Sequence, residues 1–278
     1  GGKMELSVLN ETDYERFCRF EKEYLDNGND RYASYTTPET FGEVRVVIPA
    51  SGKTRSRGGK SMEKNRRVRT TIFIELGIMA AIVLFDLGMP ALLIIAVGLL
   101  FMLLRKEGLS LLGFKIEKPI YKTVFSVFLL SVIWTIINFT VILPIINHLT
   151  GATRILTNFE NLKGNTGLLL TLLAASWTLA ALGEEIAYRG FLLGGTARLF
   201  TNRKFGIVVS VLVSSVLFGL AHREQGLIGV ITTFIDALFF SFVRYLFDNL
   251  WASVLAHGFL NTIGVIIFYF TGPLYGLW

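Results

Sequence analysis

The sequence is poor in charge, in cysteine and in histidine. Of its 278 residues, 17% are Asp, Glu, Lys or Arg, whereas soluble domains have about 25%. The single cysteine, Cys18, excludes an intrachain disulfide, and the chain has three histidines. These shortages argue against an ordinary soluble domain and against a disulfide scaffold.

Long stretches have no charge at all, and hydrophobic residues make up 52% of the chain. Uncharged apolar runs of about 18 residues or more predict transmembrane helices. Surface helices of a soluble all-α protein would need charged faces, which these stretches lack: 123–147, 164–183, 205–221 and 249–278. We therefore predict an all-α fold, a polytopic bundle of about seven transmembrane helices with a short polar N-terminal region.

The predicted spans are 71–88, 90–104, 120–147, 166–189, 205–222, 227–247 and 250–271. The sequence Asp86-Leu-Gly-Met-Pro90 divides the first apolar stretch into a hairpin, because Gly and Pro interrupt helices. Two alternatives stay open after the fourth span, where Gly190, Gly194 and Gly195 either end the helix or kink it. As domains, we predict a polar segment of uncertain origin at 1–61 and a membrane-embedded domain at 62–278. The segment is either fused or translated from upstream of Met62, or a native cytoplasmic tail.

Lys and Arg are concentrated in alternate loops. They precede the first span and follow the second, fourth and sixth, whereas 86–90, 148–165 and 223–226 hold few of them. Cytoplasmic loops of membrane proteins carry the excess of Lys and Arg. We therefore expect a multi-pass plasma-membrane protein with a cytoplasmic N-terminus and an external C-terminus.

The strongest chemical pattern is Glu184-Glu185-x-x-x-Arg189. Charged groups at bilayer depth cost about 2.5–3.5 kcal/mol each on insertion scales, so they are candidates for function. Glu185 and Arg189 stand four residues apart and can pair on one helix face. Glu184 is then left beside a cation and another carboxylate, and such a setting can tune the pKa of its carboxyl for a role as general base. The alternative interpretation is a structural ion pair at a helix end.

Two of the histidines lie on predicted helices. His222 ends the fifth helix, and His257 stands four residues before Asn261, so these two share one face. An imidazole and an amide there can donate to a developing oxyanion, although a lone histidine more often makes an interhelical hydrogen bond. We expect Glu184, His222, His257 and Asn261 to share a wet cavity that opens toward the cytoplasm. For these residues to lie at the same depth in the membrane, either the hairpin of the fourth and fifth helices projects into the cytoplasm or the seventh helix starts deeper.

These motifs together resemble the CPBP family, which includes the type II CAAX prenyl endopeptidases and abortive-infection relatives. The resemblance covers about 166–265 and rests on Glu184-Glu185-x-x-x-Arg189, Phe218-x-x-x-His222 and His257-x-x-x-Asn261. It implies an intramembrane endopeptidase in which Glu184 and His222 activate water while His257 and Asn261 stabilise the oxyanion. Glu185 and Arg189 would support Glu184. The implied partners are the bilayer and a membrane-associated polypeptide, with no nucleic acid; the oligomeric state stays open.

Two questions remain open at the level of sequence. The zincin signature His-Glu-x-x-His is missing, yet Glu184, His222 and His257 could hold Zn²⁺; the other alternative is a cofactor-free glutamate mechanism. The chain could also be a non-catalytic membrane scaffold or immunity factor, or a proton-coupled transporter. Elsewhere, Asp236 and Arg244 on the sixth helix and Asp248 at its end are expected to be structural partners inside the bundle.

Overall fold

The structure is a computed structural model that describes residues 33–35, 44–46, 54–115 and 119–276, with side-chain surroundings from Arg66 onward. The chain separates into two compact units, Gly1–Glu63 and Lys64–Trp278. In the first unit, strand β1 (Ala33–Tyr35) pairs antiparallel with strand β2 (Val44–Val46). Most of the predicted polar segment, including Cys18, lies outside the described residues, and the predicted domain division stays a prediction.

The second unit is a helical bundle, and each predicted span falls on one helix. In chain order the helices are α1 (Thr54–Leu84, which begins in the first unit), α2 (Pro90–Arg105), α3 (Ile120–Thr150), α4 (Thr166–Arg198), α5 (Arg203–Leu220), α6 (Gly226–Leu246) and α7 (Leu250–Thr271). Among the described residues, five helices, α3 to α7, are long and apolar enough to cross a membrane, and α2 is apolar but shorter. The predicted all-α polytopic fold is confirmed, but the first two of the seven predicted spans, 71–88 and 90–104, are not among these five helices.

Asparagine side chains start three of these helices. Asn165, Asn202 and Asn249 accept hydrogen bonds from the backbone N–H groups of Leu168, Phe205 and Trp251 at the first turns of α4, α5 and α7. Asparagine is among the best N-cap residues because its carbonyl satisfies an N–H group that lacks an intrahelical partner. The loop sequences therefore define where these three helices begin.

Helix α4 departs from regular α geometry where the candidate residues lie. It contains two π-helical stretches, Ser176–Glu184 and Ile186–Leu192, and π turns inside α-helices are frequent at functional sites. The glycines after Arg189 do not end the helix, which continues to Arg198. A Cβ on Gly190 would lie 3.1 Å from Leu112 and 3.6 Å from Leu250, so this glycine permits close packing.

Three turns meet at one end of the bundle, which we call the loop end: residues 85–89, 151–165 and 221–225. The backbone N–H of Ile155 donates to the carbonyl of Gln225 at 3.0 Å. The Arg223 side chain donates to the carbonyls of Val83 and Leu84. These bonds join the α1–α2 turn, the α3–α4 loop and the α5–α6 turn.

The opposite end, which we call the basic end, carries Arg105, Lys106, Lys115, Arg198, Arg203, Lys204 and Arg244. Glu107 binds Arg105 and Arg198 there, which ties the end of α2 to the end of α4. Lys115 pairs with Asp248 between α6 and α7. Helix α7 starts deep, since Leu250 packs against Gly190, two turns before α4 ends. The end of α4 therefore extends past the start of α7, an offset that fits both sequence alternatives for placing the site residues at one depth.

Candidate active site

Three of the predicted residues meet around one carboxylate oxygen. Oε2 of Glu184 lies 3.9 Å from Nε2 of His222 and 4.0 Å from Nε2 of His257. This oxygen is buried and has no hydrogen-bond partner in the described part of the chain. Burying a carboxylate oxygen without a partner is costly. A water molecule at ordinary hydrogen-bonding distance, about 2.8 Å, could bridge Glu184 to either imidazole.

His222 is held by its own helix. Its Nδ1 lies 2.8 Å from the carbonyl oxygen of Phe218, and its ring lies 4.6 Å from the Phe218 ring. A carbonyl can only accept, so Nδ1 carries a proton, and in the neutral imidazole Nε2 is then an acceptor. The acceptor faces Glu184, where it can take a hydrogen bond from water.

His257 is held from a different direction. Its Nδ1 lies 3.0 Å from Oε1 of Glu185, and its ring stacks on Phe240 at 4.6 Å with an interplanar angle of 12°. Ser253 donates to the other Glu185 oxygen. The contact with Glu185 places the Nδ1 proton and leaves Nε2 facing Glu184. Glu185 therefore orients His257 from behind.

The expected pair of Glu185 and Arg189 is present and fully enclosed. Nη1 of Arg189 donates to Oε1 of Glu185 at 2.9 Å, with both side chains at 0% exposure. Nη2 donates to the carbonyl oxygen of Ala237 in α6 at 3.1 Å. The guanidinium also lies 4.5 Å from the ring of Phe218, a favourable cation–π contact. This pair anchors α4 to its neighbours below the cavity.

A cavity of about 520 Å³ joins the candidate residues, within the usual range of about 300–1,000 Å³ for ligand sites. Glu184, His222, His257 and Asn261 all line it. Asn261 is half-buried one turn after His257. The structure brings these four side chains to one cavity, with Glu185 and Arg189 behind them; their chemical roles stay predictions.

Tyr188 is a cavity residue that the sequence reasoning missed. It is 1% exposed, lines the cavity, and its hydroxyl is buried without a partner among the described residues. Buried tyrosine hydroxyls usually find a partner. The four-residue spacing between Glu184 and Tyr188 could have identified it, because residues at this spacing lie near the same helix face.

Asp236 is not the partner of Arg244, contrary to expectation. Its Oδ1 accepts hydrogen bonds from Nε1 of Trp134 and Nδ2 of Asn138, both at 2.8 Å, whereas Arg244 lies 3.7 Å from Asp248. Asp236 also lines the cavity. It therefore joins α6 to α3 at the cavity wall.

The cavity reaches the loop end of the bundle. Its wall includes Met89, Arg154, Phe159, Glu224 and Gln225, and Met89 and Glu224 are exposed. The residues that define the basic end do not line it. If the basic end faces the cytoplasm, as the Lys and Arg distribution predicts, the cavity opens on the other side. The expected orientation and the expected cytoplasmic opening are therefore incompatible, and which of the two holds stays a prediction.

In the described part of the chain, no group of three or more His, Cys, Asp and Glu side chains is arranged to hold a metal ion. Zinc lies at about 2.0–2.2 Å from oxygen and nitrogen ligands. Two ligand atoms on one tetrahedral zinc are therefore about 3.3–3.4 Å apart, somewhat closer than the 3.9 and 4.0 Å between Oε2 of Glu184 and the two Nε2 atoms. Whether zinc binds here stays a prediction.

Comparison with known families gives one match. Residues 166–263 match the model of the family described as type II CAAX prenyl endopeptidase Rce1-like. The matched region starts with α4, ends within α7 and contains Glu184, His222, His257 and Asn261. No curated protein and no solved structure matches the chain.

Proposed function

We propose that the chain is an intramembrane endopeptidase, because residues 166–263 match the family model described as type II CAAX prenyl endopeptidase Rce1-like. It hydrolyses peptide bonds of membrane-associated proteins or peptides. The observation that carries the proposal is the buried, unpartnered Oε2 of Glu184, which faces Nε2 of two histidines. A base for water and donors for an oxyanion are what peptide hydrolysis requires.

Water is activated between Glu184 and His222. Nε2 of His222 accepts a hydrogen bond from this water, because its Nδ1 donates to the Phe218 carbonyl. Glu184 takes the other proton as the water oxygen attacks the peptide carbonyl carbon. The C–N bond then breaks, and Glu184 returns the proton to the departing amine. Such general acid–base work contributes about 10²–10⁴-fold in rate.

The oxyanion is stabilised by His257 and Asn261. The Nδ1 proton of His257 points to Glu185, so its Nε2 donates to the substrate only when the ring is an imidazolium. The amide of Asn261 supplies the second donor from the same helix face. Removing one oxyanion donor typically costs about 10²–10³-fold in kcat.

Glu185 and Arg189 are positioning residues in this mechanism. The buried Arg189 neutralises Glu185, and Glu185 in turn fixes the ring of His257. Because neither side chain lines the cavity, neither contacts the substrate. Their contribution is the orientation of a group that does.

We propose that this reaction needs no metal ion, because Glu184 and the histidines suffice for the proton transfers. The purified protein is then free of stoichiometric zinc, and 1,10-phenanthroline leaves cleavage unchanged. One zinc per chain, lost together with activity on chelation and restored on readdition, would contradict this part of the proposal.

The test of the proposed function is a comparison of Glu184→Gln with the unmodified protein in membranes of the producing cell. Glu160→Gln, at an exposed acid in the α3–α4 loop, is the matched control. Membrane proteomics is expected to find cleavage products that Glu184→Gln lacks and Glu160→Gln retains. A Glu184→Ala protein that cleaves at the normal rate would defeat the mechanism. A cellular function that survives Glu184→Gln would favour the non-catalytic scaffold.

A further inference from the structure

The two ends of the bundle differ strongly in positive charge. The basic end has the seven Lys and Arg residues that define it and Lys122 in the first turn of α3. Arg66, Arg67 and Arg69 precede the apolar stretch of α1 near this end. The loop end has three in the described chain: Arg154, Lys163 and Arg223. Excess Lys and Arg in short loops marks the cytoplasmic side of a membrane protein.

Two of the three cations at the loop end turn into the bundle. Arg154 donates to Oε1 of Gln225, with its Nε at 2.7 Å, and Arg223 donates to backbone carbonyls at the end of α1. Their charges therefore fix the turns to one another. This leaves even less positive charge at the outer surface of the loop end, which strengthens the asymmetry.

The cavity is closed on the side of the basic end by a fully buried layer. Arg189, Glu185 and Ser253 are each 0–1% exposed and are linked by hydrogen bonds. Phe218 and Phe240 pack on the guanidinium. Opening a path through this layer would separate a buried ion pair, which is strongly unfavourable.

On the other side the cavity runs to the loop end. From Glu184 and His257 its wall continues to His222, then to Gln225 and Glu224 in the α5–α6 turn. Arg154, which is hydrogen-bonded to Gln225, and Phe159 of the α3–α4 loop also line this part of the cavity. A polypeptide therefore reaches Glu184 from the loop end.

From the charge asymmetry and the cavity together, we propose that the site is entered from the non-cytoplasmic side of the membrane. Its substrates are membrane-associated polypeptide segments exposed on that side, such as exported peptides or external juxtamembrane segments. The substrate class rests on the proposed endopeptidase function, but the face of entry does not. The Arg189 layer closes the direct path from the basic end to Glu184.

The face of entry is tested by cysteine labelling of the full chain with Cys18 replaced by Ser. Single cysteines are placed at exposed positions at the loop end, Asn158→Cys and Glu224→Cys, and at the basic end, Lys204→Cys. A membrane-impermeant maleimide is expected to label positions 158 and 224 in right-side-out vesicles and position 204 only in inverted vesicles. The reverse pattern would overturn the inference.

The substrate class is tested by mapping the cleavage sites that Glu184→Gln abolishes. They are expected to lie on the non-cytoplasmic side of their membrane proteins. Sites in cytoplasmic segments would overturn the inference while leaving the endopeptidase in place. If Glu184→Gln abolishes no site, the endopeptidase function fails, and the labelling pattern still decides the face of entry.

Discussion

Oε1 of Glu185 accepts a hydrogen bond from Nδ1 of His257 at 3.0 Å while it also pairs with Arg189 at 2.9 Å. One buried oxygen thus serves two donors on different helices. The contact turns Nε2 of His257 toward Glu184, 4.0 Å away. Adjacent glutamates in the chain therefore face opposite nitrogens of the same ring, one as a support and one across the cavity.

The first prediction separates the two tasks of Glu185. Glu185→Gln keeps the shape of the side chain but not its charge, so His257 loses its anionic partner. We expect cleavage to fall about 10–100-fold, as for residues that orient a functional histidine. The measurement is kcat and KM in detergent, with the loss expected in kcat.

Glu185→Ala is the companion variant. It leaves Arg189 buried without its counter-ion, and breaking a buried pair typically destabilises by about 3–5 kcal/mol. We expect little folded protein in the membrane. If Glu185→Gln cleaved normally and Glu185→Ala accumulated normally, Glu185 would neither orient His257 nor stabilise the fold.

The second prediction concerns the unpartnered hydroxyl of Tyr188. A buried hydroxyl without a partner costs about 1–3 kcal/mol, so Tyr188→Phe is expected to keep or raise the unfolding temperature. If the hydroxyl holds water or substrate beside Glu184, the same change lowers cleavage. Thermal unfolding and cleavage rates are therefore expected to move in opposite directions.

The control for Tyr188 is Tyr245→Phe, whose hydroxyl lies 3.3 Å from Ser210 and away from the cavity. It is expected to leave cleavage unchanged. A more stable Tyr188→Phe protein with normal cleavage would show that the hydroxyl has no part in the reaction.

The third prediction is that Asp236 acts mainly on stability. Asp236→Ala leaves the donors of Trp134 and Asn138 unpaired in the bundle, at about 1–3 kcal/mol for a buried polar group. We expect lower folded abundance but normal kcat per folded molecule. Active-site titration of purified protein measures this. A loss of kcat with normal abundance would instead assign Asp236, which lines the cavity, to the reaction.

Much of the bundle follows from local sequence features. Runs without charge predict the helices, and the Glu185–Arg189 pair follows from a four-residue spacing on one helix. The hairpin at Asp86–Pro90 follows from its Gly and Pro, and the structure ends α1 at Leu84 and starts α2 at Pro90. These features depend on neighbours in the chain, so no tertiary information is needed.

The depth and direction of the site do not follow from sequence. Glu184 meets His222 and His257 because α7 starts beside Gly190 and α4 contains π-helical stretches. Neither has a local pattern that predicts it. Asp236 was assigned the wrong partner for the same reason, since its donors come from α3. The side on which the cavity opens was inferred from two observations together, the position of the basic end and the residues that line the cavity wall.

The fourth prediction concerns the ion-pair cluster of Glu107 with Arg105 and Arg198 at the basic end, outside the spans. We call this cluster the clasp and expect acid to weaken it. Burial would raise the pKa of Glu107, but hydrogen bonds from Arg198 and Arg105 outweigh it and hold the pKa below its ordinary value of 4.5. A carboxylate with a lowered pKa stabilises the folded state above its unfolded value. That contribution is lost as pH falls through the folded pKa.

Stability is therefore expected to be constant from neutral pH to about 5 and to fall below the ordinary value of 4.5. If the clasp contributes on the order of 1 kcal/mol, the unfolding temperature in detergent drops by about 2–4 °C for a chain of this size. The Glu107→Gln protein is expected to have a lower unfolding temperature at neutral pH and to lose this part of the decrease on acidification. Asp248→Asn, whose pair with Lys115 is largely exposed, is the control and is expected to retain it. An unchanged acid transition in Glu107→Gln would contradict the clasp, because another carboxylate would then carry it.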